Sequence, residues 1–181
     1  LNAIKNGFQV AVFAPTEILA FQLAENFSKT LSWDNISVGF LSGKVKGKQR
    51  ENLYQNLKNG EIDVLVGTSA IIQDKVEFSK LGLVIIDEQH RFGVAQRQKI
   101  LEKSHQKMPH LLAMTATPIP RSLQLTLFGD LSVSILKEKP AGRKPVKTEI
   151  ISPASRAPMN SKIKTEISNG RQVFVIVPAI Q

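Results

Sequence analysis

The residues of this chain best suited to chemistry lie together in Leu83–Val94, which reads LVIIDEQHRFGV. Four apolar residues, Leu83 to Ile86, run straight into Asp87 and Glu88, followed by Gln89, His90 and Arg91. A short apolar run bounded by turn signals is the pattern of a strand buried on both faces of a parallel sheet. In open α/β sheets ligands bind beyond the carboxyl ends of the strands, which is where this pattern puts the two acids. Adjacent carboxylates there can divide the work of nucleotide hydrolysis. One holds Mg²⁺ through its water shell; the other orients or deprotonates the attacking water. The competing reading is a strand running into a solvated loop, because acid pairs after apolar runs are common. His90 alone would be a structural histidine; beside two carboxylates it becomes a candidate relay.

Other groups sort around this stretch. Thr115-Ala116-Thr117 follows the apolar run Leu111–Met114. Neighbouring strand ends lie about 5 Å apart, so threonine hydroxyls there can reach an acid or a phosphate-bound water. Thr117 suits equally the cap of a helix begun near Pro120. Three more loops follow strand candidates: Ala14-Pro15-Thr16-Glu17, Ser42-Gly43-Lys44 and Gly67-Thr68-Ser69. Backbone N–H groups and helix N-termini in such loops accept phosphates. Lys44, Lys46, Lys48 and Arg50 alternate through the second loop, which reads as a phosphate-backbone contact or as a solvated basic turn. Gly39 to Val45 imitates a P-loop, but three residues rather than four separate its glycines. Val45 also stands where a Ser or Thr would meet Mg²⁺, so it is not one. His90, His105 and His110 have no metal-ligand spacing.

Alternating strands and helices must position these residues. Strand candidates are Gln9–Phe13, Ile36–Leu41, Ile62–Val66, Leu83–Ile86, Leu111–Met114 and Ser132–Leu136. Helical spacing covers the first residues up to a stop at Gly7, then Glu17–Leu31, Lys48–Lys58, Ala95–Ser104 and Pro120–Phe128. Such alternation argues for a parallel α/β sheet. Lys137–Pro145 (KEKPAGRKP) is charged and rich in Pro and Gly, a linker composition. Beyond it, Lys147–Ile151, a helix marked by Met159, Ile163 and Ile167, and Gln172–Val177 form one βαβ unit, too small to be a domain alone. The expected division is 1–136, a linker at 137–146, and 147–181.

Composition bounds the function. Hydrophobic residues make up 42% and aromatics 6%, which suits an aliphatic α/β core. Without cysteines the chain has no disulfide or thiolate metal site, and a reducing, cytoplasmic location is expected. No apolar run approaches the ~18 residues of a membrane span, so no membrane partner is expected. The N-terminus lacks the order of charged and apolar regions that marks a signal peptide, and it begins mid-pattern without Met, as a fragment would. The net charge is +9; residues 1–136 hold 15 Lys+Arg against 12 Asp+Glu, and residues 137–181 hold 9 against 3. A basic balance favours nucleic acid and also plain solubility.

APTEILAFQ, SGKVKGK, GTSAIIQ, VIIDEQHRFGV and MTATPIPRSL resemble, in order, the motifs of superfamily 2 DNA helicases. DEQHRFGV with TATPIPR resembles the RecG branch, which acts on branched DNA. The transcription-repair coupling factor is the near alternative, in which Glu tends to replace Gln89. A non-catalytic nucleic-acid-binding fragment is the reading from another class. The resemblance implies a RecA-like P-loop NTPase sheet, truncated at its start, and the beginning of a second RecA-like domain. It implies ATP and Mg²⁺ as cofactors and branched or junction DNA as partner, with a monomeric parent. Asp87 would be the Mg²⁺-associated acid and Glu88 the residue that activates water, while Gln89 and His90 would sense the γ-phosphate and the facing domain. Thr115, Ala116 and Thr117 would couple hydrolysis to DNA movement. Pro15, Thr16, Gly67 and Thr68 would grip the DNA backbone, with Gly43, Lys44, Lys46, Lys48 and Arg50 binding it as well. The family's phosphate-gripping lysine loop and arginine finger match nothing in this chain, so the 181 residues alone are expected to hydrolyse ATP negligibly.

Overall fold

The structure, a computed structural model, describes residues 1–104, 108–116, 132–138, 142, 145–152 and 155–177. The chain divides into two compact units, Leu1–Asp130 and Leu131–Gln181.

The first unit is built on β1 (Gln9–Phe13), whose five residues are all buried. Successive side chains point to opposite faces of a strand, so β1 feeds two cores. Val10 and Val12 pack with Ala20 and Ala24 of α2 (Glu17–Thr30) and with residues of the short α1 (Asn2–Lys5). Ala11 and Phe13 pack on the other side with Leu57 of α3 (Gly47–Asn59) and Ile100 of α4 (Val94–Leu101). A strand apolar on both faces belongs in the middle of a covered parallel sheet, and that is where β1 sits. The strand order is β2 (Val38–Leu41), β3 (Val64–Gly67), β1, β4 (Leu81–Ile86), β5 (His110–Ala113). Every pairing is parallel.

Local chemistry sets the helix ends. Thr16 Oγ1 accepts the Leu19 N–H at 3.3 Å, capping α2. Gly60 ends α3 with φ +81°, a left-handed conformation that glycine adopts without steric cost. Gln9 is a buried polar residue on the central strand, and its amide is fully used. Nε2 donates to the carbonyls of Leu57 and Ile62, both at 2.8 Å, and Oε1 accepts the Lys80 N–H at 3.0 Å. One side chain thus ties the start of β1 to the end of α3 and the approach to β4.

The five strands and α1 to α4 appear where the hydrophobic pattern puts them, β1 with its expected ends and the others with ends shifted by at most three residues. The expected helix at Pro120–Phe128 lies outside the described residues.

In the second unit, α5 (Arg156–Ser168) forms over the spacing of Met159, Ile163 and Ile167. The strands expected at 132–136, 147–151 and 172–177 are not formed. Phe174 and Ile176 are 87% and 93% exposed. A parallel strand needs neighbours to take its N–H and C=O groups and helices to cover its faces. Among the described residues these segments have neither, so the expected βαβ unit is reduced to its helix.

Candidate functional site

Because all strands are parallel and in near register, their carboxyl ends line one edge. Phe13 pairs with Gly67 and Ile86, Leu41 with Gly67, and Ile86 with Ala113. The ladder continues one residue into each loop: Ala14 N–H to Gly67 O, Asp87 N–H to Phe13 O and Met114 N–H to Ile86 O, at 2.8–2.9 Å. Four loops from distant parts of the chain therefore start from this edge: 14–16, 42–46, 68 and 87–91. Met114, Thr115 and Ala116 make a fifth. Thr117 lies outside the described residues.

The centre of the edge is a strained turn. Glu88 adopts φ +49°, left-handed, which costs a residue with a Cβ about 1–3 kcal/mol unless its surroundings hold it. Asp87 Oδ1 accepts the Glu88 N–H at 2.9 Å, and the Gln89 N–H donates to Met114 O at 3.0 Å. Phe92 then tilts onto Phe13, with ring centroids 4.3 Å apart, and pins the segment after the turn to the central strand. The turn carries the Glu88 carboxylate across to β5. Glu88 Oε2 lies 3.5 Å from the Ala116 N–H and 3.4 Å from His90 Nδ1. His90 Nδ1 is also 3.3 Å from Thr115 Oγ1. Glu88, His90 and Thr115 thus form a polar triangle. A ring protonated on Nδ1 donates to one of the two oxygens; the other tautomer accepts from the threonine hydroxyl. Asp87 and Glu88 are both half-buried, reachable from the edge yet partly shielded. Gln89 is buried, and its Oε1 has no hydrogen-bond partner among the described residues.

A second cluster joins two loops. Ser42 Oγ donates to Glu17 Oε1 at 2.7 Å, Lys44 Nζ lies 3.0 Å from Glu17 Oε2, and the Lys44 N–H donates to Ser42 Oγ at 3.2 Å. The Ser42 hydroxyl first, and Lys44 next, hold the Glu17 carboxyl below its ordinary pKa. Lys46 and Lys48 are exposed. Arg50 turns inward to Tyr54, Val45 and Gln73.

The glycines separate into two kinds. A Cβ at Gly67 would sit 2.1 Å from Leu41 O, so the sheet itself requires glycine there. A Cβ at Gly43 would meet nothing within 4 Å, so nothing in the fold explains its lack of a side chain. Thr16 spends an acceptor lone pair on its cap and keeps its hydroxyl proton to donate.

Sequence reasoning brings Asp87, Glu88, His90 and Thr115 to one place and misses the Glu17–Ser42 link. A first-turn acid on α2 was its only trace, because nothing local connects residues 25 apart. It also treats Arg50 like the lysines around it, although Arg50 faces inward.

A profile for the DEAD/DEAH box helicase matches residues 1–126. The ATP-dependent DNA helicase RecG of Aquifex aeolicus is 49% identical over 181 residues, covering 100% of this chain and 23% of that protein. The RecG of Bacillus subtilis is 47% identical over 179 residues, covering 99% and 26%. A solved structure of RecG bound to a three-way DNA junction superposes with a TM-score of 0.75 and 41% identity, covering 96% of this chain and 23% of that one. The chain thus spans about a quarter of the length of the curated relatives it matches. Its parallel sheet with flanking helices is the RecA-like P-loop NTPase architecture expected from the sequence.

Proposed function

Because this chain belongs to the DEAD/DEAH box helicase family, we propose that it is the hydrolytic side of the motor in a RecG-type, ATP-driven DNA translocase. The parent protein would act on branched DNA, a reading supported by a relative solved on a three-way junction, and would do so in the cytoplasm. Residues 1–136 would belong to the first motor domain, 137–146 to a linker and 147–181 to the start of the second. The two compact units, Leu1–Asp130 and Leu131–Gln181, support a two-part chain, with residues 131–136 falling in the second unit rather than the first.

The observation that carries the proposal is the left-handed turn at Glu88, which aims one carboxylate across the strand ends and leaves the other at the mouth of β4. Asp87 keeps Oδ2 for a ligand after Oδ1 has taken the Glu88 N–H. One carboxylate oxygen, with phosphate oxygens and waters completing the shell, is a donor set that fits Mg²⁺. Bound Mg²⁺ and ATP supply the phosphoryl group and neutralise its developing charge. Asp87 would hold the ion through water. Glu88, steadied by the Ala116 N–H, would orient the attacking water and take its proton. His90, between Glu88 and Thr115, would report the state of that carboxylate to the segment after β5, the coupling stretch Thr115-Ala116-Thr117. Gln89 would serve from inside, fixing the turn through its main chain.

Glu88→Gln in the full-length parent tests the assignment. It keeps the shape and removes the base, so duplex binding should persist while turnover falls about 10²–10⁴-fold. Near-normal ATPase in that variant would remove Glu88 from the role.

A further inference from the structure

Arg50 stands apart from the other cations of the basic loop. Its guanidinium is held on three sides: Nε donates to the Tyr54 hydroxyl, Nη2 to Gln73 Oε1, and Nη1 to Val45 O at 3.4 Å. The Tyr54 ring also lies beneath it, 5.5 Å from the guanidinium carbon. All three acceptors are neutral, and no carboxylate pairs with Arg50 among the described residues. Lys44, by contrast, is paired with Glu17. Arg50 is therefore oriented without being neutralised, and its field adds to that of Lys46 and Lys48.

Gln73 is what makes this possible, and it is itself held from behind. It ends the 3₁₀ turn Ser69–Ile72, whose Ile71 is fully buried. Its carbonyl accepts Lys103 Nζ at 2.7 Å, and the same ammonium donates to Val76 O at 2.8 Å. Lys103 lies just beyond α4, the helix that follows the Glu88 turn. The main chain that carries the acceptor facing Arg50 is thus anchored, to the core through Ile71 and to the end of α4 through Lys103, while the Gln73 side chain itself is exposed. A carboxylate at position 73 would hold the guanidinium as well and cancel its charge.

We propose that Gln73 is a positioning residue for nucleic-acid binding, one that orients Arg50 through a neutral acceptor so that the loop keeps its full positive charge toward a phosphate backbone. This rests on the reading of residues 43–50 as a DNA-backbone contact.

Two variants of the full-length parent, Gln73→Glu and Gln73→Met, test it beside a Lys44, Lys46 and Lys48 triple-to-Gln variant. The readouts are duplex DNA affinity across a salt series, basal ATPase and the thermal midpoint. Gln73→Glu keeps the hydrogen bond and adds a counter-charge. It should leave the midpoint and basal ATPase unchanged, weaken binding about fivefold and flatten the log–log salt slope by a fraction of the ~0.9 that one fully neutralised phosphate contributes on duplex DNA. Gln73→Met keeps the charge and releases its orientation, so binding should weaken with the slope unchanged. A Gln73→Glu protein with wild-type slope and affinity overturns the proposal. So does a fall in midpoint that tracks the loss of binding in both variants, which would make Gln73 merely structural. If the triple-lysine variant also keeps the wild-type slope, the loop does not touch DNA and the underlying reading fails with it. If the triple variant flattens the slope and Gln73→Glu does not, this inference alone falls.

Discussion

At the residue scale, glycine shows how one residue type serves two ends at the same sheet edge. Gly67 lacks a side chain because the Leu41 carbonyl occupies the space a Cβ would need. Gly43 sits in open space at the head of the basic loop. Gly67→Ala should therefore destabilise the domain by about 1–3 kcal/mol, the usual cost of overpacking, read from denaturant unfolding. Gly43→Ala should leave that unfolding curve in place and weaken DNA binding by the parent, if a phosphate approaches the backbone there. A Gly67→Ala protein as stable as wild type would mean that β2 and β3 are not packed as closely as this geometry requires. The motif pattern alone groups both glycines with phosphate-gripping loops; only the carbonyl of Leu41, on a different strand from Gly67, tells them apart.

At the element scale, two loops that start from different strands behave as one unit. Ser42, at the end of β2, and Glu17, in the first turn of α2, are joined by a hydrogen bond, with Lys44 closing the pair. The Glu17 carboxyl has a lowered pKa in the folded state, chiefly through the Ser42 hydroxyl and then through Lys44. A carboxyl depressed by folding contributes stability that is fully present above its unfolded pKa, near 4.5. That contribution disappears as the pH falls through the lower folded value. Glu17→Gln should thus narrow its stability gap to wild type as the pH drops from about 6 toward about 3, followed by thermal midpoint. A gap that stays constant over that range would show that Glu17 titrates normally and that the two loops are not linked through its charge. The same scale explains the second unit. Helix α5 forms from local spacing, since its hydrogen bonds are internal to the segment. Residues 147–151 and 172–177 have strand-like composition, but a strand's bonds must come from elsewhere.

At the scale of the whole molecule, the basic surface near one sheet edge is the feature that would face DNA. Neutralising Lys44, Lys46 and Lys48 in the parent should flatten the salt dependence of duplex binding by about 0.9 log unit for each phosphate left without its cation. Arg50 is oriented inward and enters that sum through its field rather than by reaching out. An unchanged slope would make the loop a solvated turn. The two acids lie at the end of β4, with β3 and β1 between them and β2, and would be untouched by the change, so basal ATPase of the parent should hold.

The sequence by itself determined the alternation of strands and helices, the burial of β1 and the placing of Asp87 and Glu88 at a strand end. Each follows from hydrophobic periodicity and turn residues, which are local. It also brought the acidic and threonine stretches together, because neighbouring parallel strands must end on one edge. Only the tertiary structure decided the left-handed turn at Glu88, the inward orientation of Arg50, the Glu17–Ser42 link and the anchoring of Gln73 by Lys103. Those depend on which distant groups share an edge, on whether a Cβ has room and on whether a donor's partner is charged or neutral. None of these is a property of neighbouring residues along the chain.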